Sequence, residues 1–141
     1  MAQTKHEQVK GYFTLEKNIV GLSLEQIEAA LGLPAGLLTK HGARILRLKR
    51  QPGVGEFAYA GSTYFPGGDG LVGLEQRLNF PIPGAWLGER LAKVVPCGPR
   101  SPEDRYPRVK DGRVEQWVLL TPVDAEEIVL LGAGQRYWPR G

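Results

Sequence analysis

At 141 residues, 42% apolar and 23% charged, the chain has the size and composition of one compact globular domain with a proper core, and is too short for two. Eighteen basic against fifteen acidic residues give a net charge of +3. The charges are interspersed, and no basic cluster exceeds Arg44, Arg47, Lys49 and Arg50, so charge alone makes no case for a nucleic-acid partner. A single cysteine, Cys97, excludes an internal disulfide, and no stretch has the apolar length of a secretory leader or a membrane span.

The first forty residues read as helical. Thr4 with Glu7 fits a capping box, and Thr14, Leu15 and Glu16 could open another short helix. Ser23 with Gln26 makes a better box. Leu24, Ile27 and Leu31 then share one helical face, and Gly32 supplies a stop. Pro34 opens a further short turn to Thr39. A helix, a glycine turn and a second helix resemble a helix-turn-helix reader. Gly36 interrupts the second helix, however, and Lys40 is its one polar contact, so a helical cap on a sheet is the preferred reading.

After Gly42 the texture changes to β. Ala43 to Lys49 alternates as a strand, with Leu46 and Leu48 on one face and Ile45 and Arg47 on the other. Glu56 to Tyr59 is a short aromatic strand running into Gly61, Ser62 and Thr63. Leu71 to Asn79 is ambiguous, Arg90 to Val95 is a strand, and Cys97 to Gly112 is loop. The densest apolar run, Trp117 to Leu120, is followed after Pro122 and an acidic turn by Ile128 to Leu131, which reads as two adjacent buried strands. The expected organisation is a helical segment 1–42 and a β-rich region 43–141 within one compact domain.

Several chemistries are disfavoured. His6, His41 and Cys97 have no zinc-ligand spacing, so no metal is expected. Gly132, Ala133 and Gly134 lack the third glycine and the following helix of a dinucleotide fingerprint. Four widely spaced elements remain as candidates for a site. Arg47 can pair with a diphosphate through its planar fork, or be a solvated strand residue. Phe57 to Thr63 offers a ring for stacking and small hydroxyls at Ser62 and Thr63, or a core strand ending in a turn. Arg77 offers a second phosphate contact, or a solvated charge. Gln116, with Glu115 beside it, stands at the mouth of a strand, where it could hold a ribose hydroxyl or orient a water, or be a polar strand end.

The segments Arg44-Ile-Leu-Arg47, Gly53-Val-Gly55-Glu-Phe57, Ala60-Gly61-Ser-Thr63, Gln76-Arg77-Leu78 and Gln116-Trp-Val-Leu with Pro122-Val occur in an order that resembles the TNT (tuberculosis necrotizing toxin) family of NAD glycohydrolases. The resemblance spans about 43–131 and implies an α+β fold. N-terminal helices would pack on a split, mainly antiparallel β core like that of ADP-ribosyltransferases, with NAD in the cleft. It assigns Arg47, Phe57 and Arg77 to NAD binding, with Ser62 and Thr63 in the same segment, and Gln116 to catalysis; Glu115 beside it is the second, less favoured catalytic candidate. The chain departs from the family in lacking a histidine between Arg47 and Gln116 and in inserting Ser62. Arg113 and Val114 stand where arginine-directed transferases place a Glu or Gln, which disfavours transfer to arginine.

The expectation is therefore a bacterial effector toxin domain that cleaves NAD, delivered by a secretion system or a larger carrier into a target-cell cytoplasm, with a cognate immunity protein as partner. An ADP-ribosyltransferase acting on a non-arginine acceptor is one alternative. A non-enzymatic immunity or adaptor module, anchored by Tyr137 and Trp138, is another, and the helical start as a nucleic-acid reader is a third. Neither membrane nor nucleic acid is the expected partner.

Overall fold

The computed structural model describes residues 6–53, 55–61, 89–98 and 113–139. Among these residues are five strands, β1 (His6–Leu15), β2 (Ala43–Leu48), β3 (Phe57–Gly61), β4 (Leu91–Pro96) and β5 (Gln116–Leu131), a 3₁₀ turn (Glu16–Asn18) and one helix, α1 (Leu24–Leu31). All pairings are antiparallel. The order is β1-β4-β2-β5-β3, and β5 also pairs with β1, so β1, β4, β2 and β5 close into a four-stranded barrel with β3 alongside.

This overturns the α+β expectation of N-terminal helices packed on a split sheet. The segment read as a first helix is β1, and it pairs with β5 from His6↔Glu126 to Thr14↔Gln116. Its alternation decides the matter. Val9, Phe13 and Leu15 are buried inside the barrel while Gln8 and Lys10 are exposed, a period of two that a helix would scatter around its circumference. Gly11 sits at a register shift with φ +87, a left-handed conformation that lets the strand bend as it wraps the barrel.

The two strands expected on either side of Pro122 are one. At about 3.3 Å per residue, sixteen straight residues would span roughly 50 Å, so β5 must bend to serve so small a barrel. It bends where Val9↔Val123 gives way to Gly11↔Leu119, leaving Leu120 to Pro122 as surplus opposite Lys10. Pro122 falls in that bulge, where its missing N–H leaves no gap in a ladder. Below the bulge β5 pairs with β3 (Phe57↔Leu119). Above it β5 pairs with β2, from Leu48↔Ala125 to Ala43↔Leu131.

Two apolar clusters follow from this geometry. Inside the barrel lie Val9, Phe13, Leu15, Leu46, Leu48, Phe57, Leu91, Trp117, Leu119, Val123 and Ala125, with Phe13 and Trp117 stacked at a ring separation of 5.9 Å. Outside it, α1 lays Leu24, Ile27 and Leu31 against Ala43, Ile45, Ala92 and Leu131, and Tyr137 from the C-terminal tail completes the layer. Full burial of one such aliphatic or aromatic side chain contributes about 1.5–3 kcal/mol. The helix ends are as read from the sequence: Ser23 and Gln26 form a reciprocal capping box, and Gly32 closes α1 at φ +72. The face assignment of β2 also matches, since Leu46 and Leu48 join the inner cluster and Ile45 the outer one. No helix among the described residues is long and apolar enough to cross a membrane.

Candidate functional site

Gln116 stands at the start of β5, yet it is 1% exposed. An α-helix leaves its last carbonyls without intrahelical partners, and the run into β5 supplies them for α1. The Arg113 and Val114 backbone N–H groups donate to the Ala30 carbonyl at 2.8 and 3.3 Å, and Gln116 Nε2 donates to the Leu31 carbonyl at 2.8 Å. Thr14 Oγ1 donates to the Glu115 carbonyl at 2.7 Å and accepts from Asn18 Nδ2 at 3.1 Å, which fixes the neighbouring backbone. The cavity that Gln116 lines, with Thr14, Leu31, Ala92 and Val94, holds about 60 Å³, far below the roughly 300–1,000 Å³ of small-molecule sites. The carboxyl group of Glu115 is half-buried, and burial raises its pKa.

Arg47, the residue expected to meet a diphosphate, pairs with a carboxylate of this chain. Its Nε donates to Glu16 Oε1 at 2.9 Å, and Nη2 is buried without a hydrogen-bond partner. The carboxylate it meets is itself buried, at 5% exposure, and also accepts the Tyr137 hydroxyl at 3.0 Å. Arg90 Nη1 approaches Glu16 Oε2 at 3.9 Å. Burial first, and the Glu16 charge second, push the Tyr137 hydroxyl up to about 12. The other two arginines of the basic group are similarly committed: Arg44 pairs with Glu7 and Glu127, and Arg50 pairs with Glu56. With those guanidinium groups neutralised locally, the counterion-release driving force for a phosphate backbone is reduced.

Phe57 is fully buried in the barrel, where its ring cannot reach a solvent-borne nicotinamide. Ser62, Thr63 and Arg77 lie outside the described residues. Among the described residues Gln116, Phe57 and Arg47 have separate surroundings: Phe57 belongs to the inner cluster, Gln116 caps a helix, and Arg47 faces Glu16. Among the described residues no group of three His, Cys, Asp or Glu side chains is placed to hold a metal ion.

The tail carries what the sequence reading did not separate. Tyr137 and Trp138 were both expected to be exposed anchors. Tyr137 is fully buried and Trp138 is 65% exposed. Backbone bonds from Gly21 N to Tyr137 O (2.7 Å) and from Tyr137 N to Leu22 O (2.9 Å) tie the tail to the turn before α1. The Trp138 indole lies over Gly21, where a Cβ would stand 3.2 Å from its Cη2. One part of the ring is seated and the rest faces solvent. Alternation along an extended tail after the Gly132–Gln135 turn was the available signal for one aromatic in and one out. Glu28 was missed as well. It falls on the apolar stripe of α1, and its buried carboxylate accepts from the backbone N–H groups of Gly36, Leu38 and Thr39 at 3.2, 2.6 and 3.1 Å. A glutamate on such a stripe marks a carboxylate that must be satisfied internally. Comparison with family models, curated proteins and solved structures finds nothing that matches this chain.

Proposed function

We propose that this chain is a non-enzymatic protein-binding module that docks its partner on Trp138. The observation that carries the reading is the seating of that indole. An adjacent residue is locked in the core, backbone bonds hold the strand of tail, and Gly21 lies beneath the ring, so a large apolar surface is offered in a fixed orientation. Tryptophan is enriched among the residues that dominate binding energy, and an anchor already ordered in the free protein loses little conformational entropy on docking. The groups that NAD cleavage would require are engaged elsewhere: Gln116 with the helix end and Arg47 with Glu16.

Two measurements on the purified chain test this. Wild-type and Trp138→Ala proteins are used as baits in parallel, and the retained proteins are quantified. The expected result is a partner held by the wild type and lost at least tenfold by the variant, with NAD consumption at the buffer rate for both. Identical retention by the two baits, or NAD turnover by the wild type, overturns the proposal.

A further inference from the structure

We infer that residues 135–139 form a strap that opens as a unit separate from the barrel, and that its latch on Glu16 decides whether Trp138 is presented; the second half rests on the protein-binding reading above. The strap has a hinge, fastenings and a latch. The hinge is the turn that follows β5, in which Gln135 N donates to the Gly132 carbonyl at 3.1 Å, Gly132 N donates to Gln135 Oε1 at 2.7 Å, and Gly134 has φ +84. The fastenings reach the turn before α1 and the first turn of the helix. Besides the two backbone bonds of Tyr137, Arg136 Nη1 donates to the Gly21 carbonyl at 2.8 Å and to Gln26 Oε1 at 3.1 Å.

The latch is Tyr137. Its ring plugs the outer apolar layer, and its hydroxyl donates to the Glu16 carboxylate that Arg47 holds from β2. Among the described residues the strap's β-pairing is the isolated bridge Ser23↔Arg136, outside the ladders that close the barrel. Withdrawing the strap thus breaks its own contacts and leaves every barrel ladder intact, which is the structural requirement for a local opening that costs less than global unfolding. Because Tyr137 and Trp138 are consecutive, withdrawing the Tyr137 ring from the outer layer carries the indole off Gly21.

Native-state hydrogen exchange on the full chain tests the strap without a partner. Tyr137→Phe keeps the buried ring and removes the hydroxyl donor. A hydrogen bond to a charged acceptor corresponds to roughly a tenfold or greater change in an opening equilibrium. The amides of Gly21 and of residue 137 are expected to exchange about tenfold faster in the variant, while the Lys49 amide, which donates to Asp124 on the neighbouring strand β5 at 2.8 Å, keeps its rate. Equal acceleration at all three sites, or unchanged rates at Gly21 and residue 137, overturns the strap. Binding is then compared between the same two proteins. Weaker partner retention by Tyr137→Phe supports the link to Trp138, and unchanged retention despite faster strap exchange removes that link while leaving the strap in place.

Discussion

Gln116 on β5 and Leu31 at the end of α1 meet through one buried hydrogen bond of 2.8 Å, the carboxamide donating to a carbonyl that the helix itself cannot satisfy. That bond fixes the outer layer to the barrel. Gln116→Met keeps the approximate volume and removes the donor, leaving the Leu31 carbonyl buried and unpaired. The variant is expected to lose about 1–3 kcal/mol of stability, read as a shift of the urea midpoint at unchanged m-value. A midpoint within about 0.3 kcal/mol of wild type would mean that the carbonyl finds another partner.

Phe57 separates the core reading from the ligand reading in a second way. Its ring is fully buried among Leu119, Leu46 and their neighbours in the barrel. Phe57→Ala is expected to cost about 3–5 kcal/mol through the cavity it leaves. A ring that stacked on a bound nicotinamide would instead be removed at small cost to the free protein. The check is chemical denaturation without ligand, and a loss below about 1 kcal/mol contradicts the packing described here.

Glu28 offers a sharper case of a buried charge. Its carboxylate gathers three backbone N–H groups of the turn 36–39. Hydrogen bonds to charged groups contribute about 1.5–3 kcal/mol each in isolation, although they are not additive. Glu28→Ala removes the acceptor of the Gly36, Leu38 and Thr39 donors and is expected to destabilise the chain by about 3 kcal/mol or more. Glu28→Gln retains one acceptor oxygen and should fall between the two. An alanine variant as stable as wild type would show that the turn satisfies itself.

How much of this was legible beforehand differs by element, for physical reasons. Helix α1 was readable because its signals are local: the Ser23–Gln26 box, the stripe Leu24, Ile27, Leu31 and the Gly32 stop all act within one helix. Strand β1 was misread because a capping box, Thr4 with Glu7, competed with the alternation of Val9, Phe13 and Leu15, and pairing with β5 across more than a hundred residues decided between them. Gln116 was located at the start of β5, but what it meets is Leu31, a residue 85 positions away that no short motif encodes. Pro122 looked like a strand break because the bulge that accommodates it is a property of the pairing and not of β5 alone.

Alkaline titration should reveal the latch thermodynamically. The Tyr137 hydroxyl is pushed from 10.0 up to about 12, first by burial and then by Glu16. A folded-state value above the unfolded one means that the native state holds the proton more tightly. The associated stability is fully present below about pH 10 and is lost as pH rises through about 12. A shift of this size sets an upper bound of roughly 3 kcal/mol. Between pH 9.5 and 12 the wild type should therefore lose stability more steeply than Tyr137→Phe, measured by urea midpoints. Parallel slopes for the two proteins would place the hydroxyl in water.

Glu56 gives the opposite sign at the other end of the scale. Arg50 donates to both of its oxygens at 2.8 Å, Gly53 N adds a third bond at 2.7 Å, and the pair of effects, the Arg50 side chain first, lowers the carboxyl from 4.5 to about 2. The contribution is present above about pH 4.5 and is lost as pH falls toward 2. Carboxyl-carbon NMR of Glu56 is expected to titrate with a midpoint near 2 in the wild type. In Arg50→Gln the midpoint should rise, because the first and largest of the stabilising contacts is gone, while the Gly53 bond keeps it below 4.5. The Leu120 amide, which donates to the Glu56 carbonyl at 2.8 Å, would exchange faster in that variant if the clip also fastens Glu56 to β5. A wild-type midpoint at 4.5 would show that the Arg50 fork spends its time in solvent, as exposed ion pairs often do. Glu56 would then be held to Gly53 by its own backbone bond, Glu56 N to Gly53 O at 3.0 Å.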